Sequence, residues 1–104
     1  MMINNVEIDN LAICSNLKRL INQVYKLLPN REENIDWENP LKTIIEEFAG
    51  MARLMPDQQE IIFSLMCKLE GLFTLNGEND YRRTIFECLN LIQEIKTNIE
   101  EAAQ

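Results

Sequence analysis

The sequence predicts an all-α protein, a compact four-helix bundle, on three observations. Apolar residues recur at helical spacing in four segments, proline, asparagine and glycine signals separate those segments, and no strand-period run exceeds Val6-Glu7-Ile8. A chain of 104 residues is also long enough to bury one core, so residues 1–104 read as a single helical domain with no internal repeat and no dividing linker.

Residues 1–9 form an N-terminal arm without a basic region or an apolar stretch, and so without the marks of an export signal. The first helix is predicted over about 10–28, with Ile13, Cys14, Leu17, Leu20, Ile21, Val24, Leu27 and Leu28 on one side and Asn16, Arg19, Asn22, Gln23 and Lys26 on the other. Pro29-Asn30 is expected to end it, because proline cannot continue the hydrogen-bond ladder. Residues 29–39 then read as a polar loop broken only by Ile35 and Trp37, with Trp37 folding back onto the bundle, where its loop is a candidate cover for Phe63.

Asn39 followed by Pro40 predicts the start of a second helix over about 40–55, whose buried face is Leu41, Ile44, Ile45, Phe48, Met51, Ala52 and Met55. Pro56 biases Met55 away from helical dihedrals, and Asp57-x-x-Glu60 has the form of a capping box opening a third helix over about 57–75. So short a break allows either an antiparallel hairpin or a bent rod. Asn76-Gly77 is expected to supply a left-handed stop, and Asn79 or Asp80 to cap a fourth helix over about 80–103 carrying Tyr81, Ile85, Cys88, Leu89, Leu91, Ile92, Ile95 and Ile99.

The composition narrows the function classes. A net charge of -7 disfavours nucleic acid, whose binding requires clustered cations, and permits attraction to a basic protein surface. There is no histidine, which removes the commonest general base and transition-metal ligand together. The three cysteines, Cys14, Cys67 and Cys88, are widely spaced and odd in number, as free thiols in a reducing compartment would be. With no apolar run long enough to span a bilayer, the expectation is a cytoplasmic protein without membrane contact.

Catalytic readings find little support. Helical magnesium hydrolases bind through Glu-x-x-Glu and Glu-x-x-Asp pairs, and here Asp57 with Glu60 is taken up by capping while Glu33 with Asp36 lies in the loop. Glu46-Glu47 and Glu100-Glu101 are adjacent and diverge by about 100° on a helix, so they do not clamp an ion. The segment 76–81 lacks the spacing of a calcium loop, and Ser15 and Ser64 have no activating base. No catalytic residue, cofactor site or metal site is therefore assigned.

What remains is surplus apolar surface. With Ile61 at the origin of a helical wheel, the third helix buries a face about 180° wide, and Phe63 at about 200° and Cys67 at about 240° fall outside it, one turn apart. Phe86 lies beyond the stripe of the fourth helix among Arg82, Arg83, Asn90 and Gln93, and Leu54 sits among Glu47, Thr43 and Gly50. Phe63, Cys67, Phe86, Leu54, Arg82 and Trp37 are thus the candidate partner-binding residues, since exposed aromatics rimmed by arginine have the composition of interface cores. The leading expectation is a non-catalytic intracellular protein-binding module. The 13 Ile and 12 Asn, a bias that AT-rich coding produces, suit a small inhibitor or regulator encoded by a phage or mobile element. The alternative is a structural subunit that forms a homodimer or larger assembly; a magnesium-dependent carboxylate hydrolase ranks third.

Overall fold

The computed structural model describes residues 2–3, 6–7 and 10–102, with side chains described over 12–102. Of the N-terminal arm, β1 (Met2–Ile3) pairs antiparallel with β2 (Val6–Glu7); the rest of it lies outside the described residues. Four helices follow: α1 (Asn10–Glu32), α2 (Glu38–Leu54), α3 (Gln59–Gly71) and α4 (Glu78–Ala102). Each packs on two others, α1 on α2 and α4 and α3 on α2 and α4, which is the closed ring of an up-down-up-down bundle. The core is the set of stripes read from the sequence: Leu17, Leu20, Val24 and Leu27 meet Leu41, Ile44 and Phe48, then Ile62, Leu65, Leu69 and Leu72, then Ile85, Cys88, Ile92 and Ile95, all at 0 to 1% exposure.

The helix ends differ from expectation in five places. α4 starts at Glu78, ahead of the Asn79 or Asp80 expected to cap it, with the Tyr81 amide donating to the Gly77 carbonyl at 3.0 Å; the other four follow. α1 continues through Pro29 to Glu32. Pro29 lacks the amide that would reach Tyr25 four residues back and its ring crowds that carbonyl, but it stands at an exposed position in the last turn, where the loss is one hydrogen bond near the helix end. The left-handed stop then falls at Asn34, with φ 59°. The Ile35 amide donates to the Asn30 carbonyl at 2.8 Å and the Asn34 amide to the Arg31 carbonyl at 3.2 Å, the paired bonds of a Schellman end.

α2 begins before Asn39, which shortens the expected polar loop. Asp36 caps it: its carboxylate accepts from the Asn39 amide at 3.3 Å and from Asn39 Nδ2 at 2.8 Å, while Trp37 already has helical dihedrals. The Asn39 backbone bond, followed by the side-chain bond, holds the Asp36 carboxyl below its usual value.

At the next break the expected capping box does not form. Met55 leaves the helical region (φ −128°, ψ 74°) and Pro56–Gln58 make one 3₁₀ turn that runs directly into α3. The amides of Gln58 and Gln59 donate to the carbonyls of Met55 and Pro56, so backbone bonds of this turn, and no side-chain cap, open α3. Gln59 Nε2 reaches back to the Ala52 carbonyl at 2.9 Å, and α2 packs against α3, which makes the pair a hairpin and not a bent rod. Finally, α3 stops at Gly71 without a left-handed residue. The amides of Leu72, Phe73 and Thr74 turn back onto Leu69, Glu70 and Gly71 at 3.1 to 3.2 Å, and no described glycine has positive φ.

Candidate protein-binding surface

Trp37 is placed by the cap at Asp36 and by the Schellman end of α1, which together bring it over the end of the bundle. Its indole stacks on Phe73 at 6.1 Å between centroids and meets Tyr81 edge-on at 5.8 Å. The Arg31 guanidinium lies 4.1 Å from the Tyr81 ring centre and 5.7 Å from that of Trp37, while its Nη2 donates to the Leu75 carbonyl at 2.7 Å. Trp37 is therefore committed to this cluster and does not cover Phe63, contrary to one expectation.

Tyr81 itself is buried, 2% exposed, and its hydroxyl has no hydrogen-bond partner among the described residues. Burial pushes its pKa up to about 12, against the opposing pull of Arg31. Beside it a cleft of about 240 Å³ opens between the end of α1 and the start of α4, with Arg31, Glu32, Asn34 and Glu78 on its walls.

The remaining candidates occupy separate faces. Phe63 is 52% exposed on the outer side of α3 and Cys67, one turn along, is exposed with it. Phe86, 45% exposed, turns toward α1 and meets Tyr25, 48% exposed, edge-on at 6.3 Å. Arg82, one turn from Phe86, pairs with Glu32 of α1 at 3.2 Å. The opposite side of α4 faces α3, where Glu87 pairs with Lys68 at 3.4 Å. Phe63 precedes Lys68 by five residues, about 140° around the helix, so it points away from α4 and cannot join Phe86 in one patch. Leu54, 49% exposed, ends α2.

Tyr25 was not among the sequence candidates. Its signal was weaker: on the wheel it falls about 20° past Cys14 and about 60° from Asn22, at the edge of the apolar stripe of α1, where it reads as flanking core. Arg31 carried no comparable signal, because its partners come from α2, α4 and the segment after α3.

The chemistry of the surface is otherwise sparse. Among the described residues no three Cys, Asp or Glu side chains gather to hold a metal ion, and no helix is long and apolar enough to cross a membrane. Cys88 is buried in the core, where desolvation pushes its thiol up to about 12 and leaves it protonated at neutral pH. No known protein family, curated protein or solved structure matches the chain.

Proposed function

We propose that the protein is a non-catalytic protein-binding module, of the inhibitor or regulator type, that works by occupying the surface of another protein. The observation that carries this reading is the exposure of Phe63, Phe86 and Tyr25, each about half accessible, on a bundle whose core is already filled by other residues. Half-exposed aromatic rings gain free energy when a partner covers them, at about 25 cal/mol per Å² of apolar surface removed from water. A reducing cytoplasm suits the three free cysteines.

The test is a quantitative affinity capture from the source cell with three baits: the native chain, Phe63→Ser, and the double variant Tyr25→Ser/Phe86→Ser. The expected result is one protein retained by the native bait and lost with at least one variant, then reproduced by titration of the two purified proteins. Equal capture profiles for all three folded baits would count against the reading. Self-association draws on the same rings, and light scattering after gel filtration separates it: a strict monomer at high concentration removes the homodimer.

A further inference from the structure

α2 and α3 form a hairpin whose outer face carries charges of both signs. Its register is fixed at one end by Gln59 Nε2 on the Ala52 carbonyl, and at the other Lys42, Ile45 and Glu46 share an open cleft with Glu70 and Phe73. Counting along the antiparallel pair from these contacts sets Ala49 level with Phe63, Lys42 with Glu70 and Arg53 with Glu60, to within about one residue rise. Lys42, Ala49 and Arg53 fall within about 40° of one another on the wheel of α2, and Phe63 and Glu70 within about 20° on that of α3. Ala49 and Phe63 each lie about 40° outward of a residue that faces the neighbouring helix, Ile45 and Gln59 respectively. Glu60, about 60° from Phe63, stands at the rim.

Lys42, Arg53, Glu60 and Glu70 are all exposed, and none belongs to an ion pair among the described residues. The other aromatic face differs. Phe86 and Tyr25 partly cover each other, and beside them Arg82 already holds Glu32 and Arg83 holds Asp80. The α2–α3 face instead combines an uncovered ring with unpaired cations on one helix and unpaired carboxylates on the other.

We propose that this face docks a second copy of the chain, about a two-fold axis that runs along the seam between α2 and α3. Such a rotation sets α2 of each copy against α3 of the other and keeps every residue at its own level along the seam. Phe63 then lies over the partner's Ala49, whose single methyl group leaves room for a ring. Lys42 meets the partner's Glu70 and Arg53 the partner's Glu60, and each contact occurs twice. Glu46, also exposed on α2, comes level with the partner's Met66 and so opposes no carboxylate. One symmetry operation thus satisfies the ring and both charge pairs, and this match selects a second copy, since complementary charge fixes register and rejects other surfaces. The core of each copy is filled without the contact, so the dimer comes apart on dilution into folded monomers. The proposal goes beyond the protein-binding reading and leaves Tyr25 and Phe86 to a different protein.

The test is sedimentation velocity over a dilution series, with reductant present so that Cys67 forms no disulfide. The native chain is expected to show a reversible monomer–dimer equilibrium. Lys42→Glu/Arg53→Glu and Glu60→Lys/Glu70→Lys should each be monomeric, because like charges then oppose across the axis. An equimolar mixture of these two variants should recover a dimer of mixed composition. Phe63→Ser should weaken self-association at least about tenfold through lost apolar contact, and Tyr25→Ser/Phe86→Ser should leave it unchanged. Circular dichroism checks the fold of each variant, and the charge-reversed mixture carries the test should Phe63→Ser fail to fold. A native chain that stays monomeric at the highest concentration, a mixture that stays monomeric, or a dimer that only Tyr25→Ser/Phe86→Ser dissolves would overturn the assignment. The capture experiment decides the protein-binding reading separately, so the two can fail independently.

Discussion

Tyr81→Phe isolates one oxygen atom in the core. The ring stays under Arg31 and against Trp37, and only the hydroxyl, buried with no partner among the described residues, is removed. A buried polar group left unpaired costs about 1 to 3 kcal/mol relative to one that keeps its hydrogen bonds. Phenylalanine should therefore be tolerated or preferred, with an expected gain near 1 kcal/mol and a rise in Tm of about 4 to 8 °C for a domain of this size. Urea and thermal unfolding followed by circular dichroism measure both. The pH dependence supplies a second reading. The Tyr81 pKa is raised from 10.0 to about 12 in the fold, so the unfolded chain loses its proton first and stability falls as pH climbs from about 10 toward 12. Cys88, raised from 9.0 to about 12, contributes a fall in the same direction that begins lower. In Tyr81→Phe the slope above pH 10 should shrink to the part due to Cys88. A loss of more than about 1 kcal/mol at neutral pH would refute the reasoning, because it would mean the hydroxyl has a partner worth keeping.

Three further predictions follow from the same geometry. Asp57→Ala/Glu60→Ala should change stability by no more than about 0.5 kcal/mol, whereas Asp36→Ala should destabilise measurably in urea unfolding, because only Asp36 caps a helix. Its lowered pKa means that the Asp36 contribution is present above the ordinary value of 3.8 and is lost as pH falls below it, a decline absent from the alanine variant. Phe48→Ala should cost about 3 to 5 kcal/mol, since that ring is fully buried, while Phe63→Ser should keep the unfolding midpoint close to native. Ellman's reagent should react at once with Cys67 and reach Cys88 only on unfolding, so thiol release with and without denaturant distinguishes the two.

The four helices and their buried faces were legible because a repeat near 3.6 residues leaves the same record in any amphipathic helix. Their ends were less so. Pro29 reads as a terminator in one dimension, and only its exposed position in the last turn explains why it passes inside α1. Asp36-x-x-Asn39 carries the spacing of a cap, but the Asn39-Pro40 pair three residues later gives an equally good local signal. The surplus rings divide in the same way. Phe63 and Phe86 break their own helical stripes, so the wheel finds them. That Trp37 turns to Phe73 and Tyr81, and that Phe86 meets Tyr25, are contacts between helices on which no single stripe bears.

Arg31 sits in the last turn of α1, yet it holds the carbonyl of Leu75 in the connection to α4 and lies over rings from the start of α2 and of α4. The two connections at that end of the bundle are thus latched by one guanidinium. Neither segment, 33–37 or 72–77, can loosen without releasing the contacts that order the other. Hydrogen exchange in the two segments is therefore expected to report a common opening free energy.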